Sequence, residues 1–201
     1  MDLIAYLQEI RALKSGHFLL SSGLHSDLYL EKFDLLRQPR ATSRVCAGFA
    51  DRFKSDAIDV VVGPTTGGVI LAFETARQLD VAAAYAERST DGSAGREIRR
   101  GTTFASGARV LVVDDILTTG GSVRETLMAL TNHPVEIFAV AVLVDRSGGE
   151  TSFAGVPLVA LASQTVASWP ADECPLCRRG IPLTKPGTTT LTPGDLRGNR
   201  T

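Results

Sequence analysis

Asp114 and Asp115 stand side by side at the end of the apolar run Val110-Leu111-Val112-Val113. Ile116 and Leu117 follow, then Thr118-Thr119-Gly120-Gly121-Ser122, and then a helix-compatible stretch to about Leu130. A valine-rich run of this kind is expected to be a buried parallel strand. In open α/β sheets, ligands bind where such strands end. Two carboxylates there can hold ribose hydroxyls or a metal-bound sugar. The hydroxyl- and glycine-rich turn presents O–H and N–H groups at a helix N-terminus, which suits a phosphate. One segment thus provides for both halves of a sugar phosphate. An ordinary strand, turn and helix would explain the valines and glycines but not the paired acids.

Other strand ends carry related features. The short β-branched run at residues 59–62 breaks at Gly63-Pro64-Thr65-Thr66-Gly67-Gly68, and a helix to Leu79 is expected to follow. Glycines there let the backbone approach a ligand closely, although a plain βα turn has the same composition. Residues 137–144 form another buried strand ending at Asp145-Arg146-Ser147-Gly148-Gly149. A weak strand at 82–86 leads into residues 89–101, which hold three glycines, three arginines and a single aliphatic residue, Ile98. That composition predicts a mobile loop or hairpin.

The elements that must position these groups can be read by periodicity. Leu3, Ile4, Leu7, Ile10 and Leu13 predict a helix over residues 2–14, started by Asp2 and ended by Gly16. Residues 17–30 predict two short strands around Ser22-Gly23-Leu24-His25-Ser26. Pro39 starts a helix to about Phe53, and residues 158–162 form the last core strand. Strands alternating with helices predict an α/β fold with a doubly wound, mostly parallel sheet flanked by helices.

The paired acids followed by Thr-Thr-Gly-Gly-Ser resemble the phosphoribosyl diphosphate (PRPP) signature of type I phosphoribosyltransferases. Within that family, Phe18-Leu19-Leu20-Ser21-Ser22-Gly23-Leu24-His25-Ser26 is similar to the N-terminal segment of orotate phosphoribosyltransferases. So are Asp145-Arg146 and the segment Trp169-Pro170-Ala171-Asp172-Glu173-Cys174-Pro175-Leu176-Cys177. The resemblance spans residues 1 to about 187. It implies a single domain over residues 1–185, with a hood in residues 1–36, a core in 37–165, and a tail at 186–201 that its composition predicts to be disordered.

What the resemblance implies about the site is specific. Asp114 and Asp115 would hold the ribose hydroxyls, with Ile116 and Leu117 beside them. Thr118, Thr119, Gly120, Gly121 and Ser122 would grip the 5′-phosphate, and Thr66 and Gly67 the pyrophosphate. Thr118, Arg146, Ser22 and Gly23 would contact orotate, and Mg²⁺ would be held mainly by PRPP and water. A homodimer is implied, with loop 88–101 reaching the neighbouring site. Many orotate enzymes carry lysines where this chain has Ser21 and Gly67, and a Lys-x-x-Lys-x-His loop where it has Glu87-Arg88-Ser89-Thr90-Asp91-Gly92. Arg88 is the named catalytic and PRPP-binding candidate for the missing charge, with Arg96, Arg99 and Arg100 also able to supply it. A purine-base phosphoribosyltransferase and a non-catalytic PRPP sensor are the competing functions.

Composition sets the remaining bounds. The chain has 201 residues, and its 21 basic against 22 acidic residues give no reason to expect nucleic-acid binding. No stretch approaches the roughly 20 apolar residues that span a bilayer, and Asp2, Glu9 and Arg11 interrupt any signal-peptide run. A cytoplasmic, reduced protein is expected. Cys174-x-x-Cys177 provides two of the about four ligands a structural zinc needs. With His17, His25 and His133 the only histidines, and none near in sequence, reduced structural cysteines are expected. A zinc shared across a dimer stays open. Cys46 is expected in the core, and His25 is open to substrate contact or plain solvation.

Overall fold

A computed structural model describes residues 1–20, 22–90 and 94–186. In chain order its elements are α1 (Leu3–Glu9), β1 (Leu13–Leu19), β2 (His25–Leu30), α2 (Lys32–Leu36), α3 (Pro39–Phe53), β3 (Val60–Pro64), α4 (Gly67–Leu79), β4 (Ala82–Arg88) and β5 (Arg96–Ile98). They continue with β6 (Ala108–Leu117), α5 (Gly121–Leu130), β7 (Val135–Asp145), β8 (Leu158–Ser163), β9 (Ser168–Trp169) and α6 (Pro175–Arg178). The chain divides into two compact units, one of residues 36–164 and one joining residues 1–35 to the chain from residue 165 onward. Ser21, Asp91 and Gly92 lie outside the described residues, and so does the expected tail apart from Pro186.

In the larger unit, six strands run in the order β5-β4-β3-β6-β7-β8. β4, β3, β6, β7 and β8 are parallel, and β5 turns back antiparallel on β4. Successive strand residues point to opposite faces, so burying both faces demands unbroken apolar runs. Val60, Val62, Val110, Val112, Val140 and Val142 form one face, covered by Val123 and Leu130 of α5. Gly63 belongs to the other face, where its Cα lies close to Gly68 and Ala72 of α4. Helices therefore cover both faces, as a doubly wound sheet requires. α3 begins with Pro39 in the first helical turn, and buries Ala41, Val45 and Phe49 at four-residue spacing. β6 continues past the valines to Leu117, with Asp114 paired to Val142 and Leu117 to Asp145. The two acids are thus strand residues rather than the start of the turn.

Cys46 lies on the buried face of α3, 0% exposed, its thiol 3.8 Å from the Leu71 carbonyl. Burial is the main reason its thiol is pushed up to about 12. Because the thiolate is the nucleophile, Cys46 should resist iodoacetamide in the folded protein near pH 8. Mass spectrometry should find it alkylated only after denaturation; labelling of the native protein would contradict the buried placement.

The smaller unit corrects the helix expected over residues 2–14. Asp2 does cap α1, accepting the Ala5 N–H at 3.0 Å. The helix stops at Glu9, Arg11 takes a left-handed φ of 60°, and Leu13 pairs with Leu30 in the β1–β2 hairpin. Strand pairing overrides the helical spacing of Leu13, and Gly16 sits inside β1 rather than closing a helix. β9 completes this sheet by pairing with β2, His25 opposite Trp169. The chain beyond α6 is stitched to β1, where Thr184 N–H donates to His17 O at 2.8 Å and Leu19 N–H to Thr184 O at 2.9 Å. The same unit overturns the isolation of the cysteine pair, because His17 and His25 converge on Cys174 and Cys177. His25 is 4% exposed, so it is not a solvated loop histidine. Among the described residues, no helix is long and apolar enough to cross a membrane.

Candidate active site

The strand ends of the larger unit enclose a cleft of about 260 Å³, lined by Arg88, Asp114, Glu125 and residues 116–123. β6 brings Asp114 and Asp115 to this end, 7% and 5% exposed. Each carboxylate is steadied by the next backbone group. Asp114 Oδ1 accepts the Asp115 N–H, and Asp115 Oδ1 accepts the Ile116 N–H, both at 2.8 Å. These bonds fix carboxylate direction without depending on neighbouring elements.

The turn after β6 is held from behind. Arg124 donates to the Thr119 carbonyl, and the Thr151 hydroxyl donates to the Thr118 carbonyl at 3.0 Å. Gly120 adopts φ 77°, and a Cβ there would come within 2.9 Å of both Arg124 and Thr151. This position therefore needs glycine for both its backbone angle and the space around it. α5 starts at Gly121, and the first N–H groups of a helix have no intrahelical acceptor. With Thr118, Thr119 and Ser122 lining the cleft beside Asp114, they form an arrangement chemically able to receive an anion.

The loop after β3 meets the same acids. Gly67, first residue of α4, lies so close to Asp115 that a Cβ on it would sit 2.0 Å from Oδ2. Thr66 and Gly67, expected to take pyrophosphate, thus adjoin the carboxylate expected to take ribose. Arg146 follows β7, and its N–H donates to the Leu117 carbonyl at 2.8 Å, one residue from Thr118. Ser147 N–H closes the turn onto Asp145 Oδ1 at 2.7 Å. Ser22 and Gly23 lie in the hairpin turn of the smaller unit, both exposed, with Gly23 at φ 82°.

The four arginines considered for the missing lysines separate clearly. Residues 89–101 include a hairpin arm, with Arg88 paired to Arg96 and Ala86 to Ile98 across β4 and β5. Arg88 lines the cleft. Arg99 binds Glu97 at 2.9 Å, and Arg100 binds Glu87 at 3.0 Å. Arg96 turns inward, its side chain 2% exposed and 3.3 Å from Glu125. It donates to Thr65 Oγ1 at 2.8 Å and to the Ala86 carbonyl at 3.1 Å. Burial lowers its pKa from the ordinary value, and nearby Arg88 lowers it further, while Glu125 and Asp114 oppose the change. Arg96 therefore braces the loop after β3 from inside the protein. Sequence reasoning missed that role, because an arginine in a glycine-rich polar stretch carries no sign of burial. Glu125 was missed too, although its place three residues into α5 after Ser122 turns it toward the cleft.

A family model described as phosphoribosyl transferase domain matches residues 34–163, the class that this sheet and its strand-end loops define. The chain is 45% identical to an orotate phosphoribosyltransferase of Caldicellulosiruptor bescii, over 94% of this chain and 98% of that protein. It is 44% identical to one of Methylobacterium sp., over 96% and 98%. The crystal structure of orotate phosphoribosyltransferase from Aeropyrum pernix superposes with a TM-score of 0.69 at 28% identity, over 81% of this chain and 93% of that one. The chain belongs to the phosphoribosyltransferase family, on its orotate phosphoribosyltransferase branch.

Proposed function

We propose that this chain is a cytoplasmic orotate phosphoribosyltransferase, moving the 5-phosphoribosyl group of PRPP to orotate. The products are orotidine 5′-monophosphate and pyrophosphate, a step of pyrimidine biosynthesis. The observation that carries this reading is the single cleft in which Asp114, the 118–122 cradle and Arg88 face one space.

In the proposed reaction, the bond from ribose C1′ to pyrophosphate oxygen breaks with its electron pair leaving on pyrophosphate. The orotate ring nitrogen supplies the pair for the new C1′–N bond and gives up its proton to water. The sugar passes through an oxocarbenium-like state, as in glycoside cleavage. The protein's part is to position the reactants and stabilise charge. Asp114 and Asp115 hold the 2′ and 3′ hydroxyls and place negative charge near the cationic sugar. Residues 118–122 fix the 5′-phosphate, Thr66 and Gly67 receive the pyrophosphate, and Arg88 neutralises it as it departs. Arg146 and Thr118 orient orotate through its carboxylate and ring oxygens.

The lining residues that could ligate a metal provide only carboxylate and hydroxyl oxygens, a donor set that suits Mg²⁺. Asp114 and Asp115 would hold Mg²⁺ through the PRPP hydroxyls and water, and the ion would supply charge neutralisation to pyrophosphate. A homodimer belongs to the same reading, its 88–101 hairpin reaching the neighbouring site.

Loss of the orotate absorbance band on adding PRPP and Mg²⁺ tests the assignment. An unchanged band, or faster turnover of adenine, hypoxanthine or xanthine, would overturn it. Arg88→Ala removes a charge-assisted contact, so kcat/KM for PRPP should fall about 10- to 100-fold with the melting temperature unmoved. An unaltered kcat/KM would move the pyrophosphate charge to another residue.

A further inference from the structure

The four side chains His17, His25, Cys174 and Cys177 play no part in the proposed reaction, and they are unusual for where they sit. Three of the four are buried, His17 at 3%, His25 at 4% and Cys174 at 0% exposure. One ligand atom from each lies within 4.8 Å of all the others. From this arrangement we infer that the smaller unit holds a structural zinc ion in a Cys₂His₂ site. The ligands are His17 Nε2, His25 Nδ1, Cys174 Sγ and Cys177 Sγ.

The distances fit the ion. Zinc bonds of about 2.3 Å to sulfur and 2.0–2.1 Å to nitrogen, set tetrahedrally, require edges of about 3.3–3.8 Å between ligand atoms. The Cys174 Sγ to His17 Nε2 separation is 3.5 Å, Cys177 Sγ to His17 Nε2 is 3.7 Å, and Cys177 Sγ to His25 Nδ1 is 3.3 Å. The two ring nitrogens are 2.9 Å apart and would open slightly around the ion. The rings meet edge-on at 63°, so both can aim a nitrogen at one point.

Protonation agrees with ligation. His17 Nδ1 lies 2.8 Å from the Ile181 carbonyl. A carbonyl can only accept, so Nδ1 carries the proton and Nε2 presents its lone pair to the cluster. A metal-bound histidine commonly has its other nitrogen fixed this way. Soft thiolates with imidazoles in a tetrahedron select zinc over hard cations. No open position remains for substrate, so the role is structural.

The consequence is a clasp between distant parts of the chain. His17 and His25 belong to the β1–β2 hairpin, while Cys174 and Cys177 flank the start of α6, with His17 and Cys174 separated by 157 positions. Binding energy at such a site is folding energy for the segments it joins.

The test uses the full chain, purified without a metal-affinity step and dialysed against metal-free buffer. Elemental mass spectrometry should find about one zinc per chain, the stoichiometry of a closed four-ligand site. A mercurial thiol reagent should release that zinc as two thiols react. Cys177→Ala should reduce the zinc content at least about fivefold. Should that variant fail to fold, wild-type protein stripped and reloaded with Co²⁺ gives an independent readout, with tetrahedral d–d bands and thiolate charge transfer expected. Zinc well below half an equivalent with no such bands, or a Cys174–Cys177 disulfide in the freshly isolated protein, would overturn the inference. Orotate turnover is measured separately, so its absence would leave the metal result standing.

Discussion

Asp115→Asn is expected to cut kcat/KM for orotidine monophosphate synthesis about 10²–10³-fold, the usual cost of removing one charge-stabilising group from a reacting centre. The substitution is nearly isosteric, and its structural consequences can be followed atom by atom. Oδ1 accepts the Ile116 N–H at 2.8 Å, so an asparagine must keep its oxygen there. Its NH₂ then occupies the place of Oδ2, beside Gly67. On the proposed mechanism, an acceptor for a ribose hydroxyl becomes a donor, and the negative charge opposite the cationic sugar is lost. The packing is retained, so the melting temperature should move by no more than about 2 °C. Absorbance of orotate and a thermal melt by circular dichroism separate the two effects. Turnover within about threefold of wild type would remove Asp115 from the site. A large fall in melting temperature would show that its carboxylate serves the fold instead.

Gly63→Ala should destabilise the protein by about 3 kcal/mol, the upper end for overpacking a close-packed interior. In a chain of this size that lowers the melting temperature by about 6–12 °C. A Cβ on Gly63 would lie 2.0 Å from the Gly68 carbonyl oxygen and 2.4 Å from its carbon. Both are backbone atoms, so no rotamer relieves the overlap, and the start of α4 must move away from β3. The Thr65–Gly68 loop moves with it, so activity should fall as well. Gly121→Ala is the control, because its nearest neighbour to an added Cβ is the Thr119 hydroxyl at 3.9 Å. Its melting temperature should hold or rise slightly, since alanine restricts the unfolded chain. Equal melting temperatures for the two variants would contradict the close packing of α4 on β3.

Local signals in the sequence were enough for the parallel core. Pro39 marks the first turn of α3 because its missing N–H costs nothing there. The valine runs mark β3, β6 and β7 because strands buried on both faces tolerate little else. The candidate site at the end of β6 was legible for a similar reason, since its acids, hydroxyls and glycines are contiguous from Asp114 to Ser122. What stayed hidden depends on contacts between distant residues. Leu13 completes a helical pattern but is claimed by Leu30 through strand pairing. Arg96 looks like a loop cation and becomes a buried brace once β5 folds back on β4. His17 and His25 give no sign of Cys174 until β9 joins β2.

The three-stranded sheet takes β1 and β2 from the chain before the six-stranded core and its third strand, β9, from the chain after it. A ribosome works from the N-terminus, so the β1–β2 hairpin emerges with an open edge and must wait through the synthesis of the whole six-stranded core. Unpaired edges of this kind invite pairing with other chains. The nascent protein therefore passes through a stage in which β1 and β2 are exposed to intermolecular association, and only release of β9 closes that window.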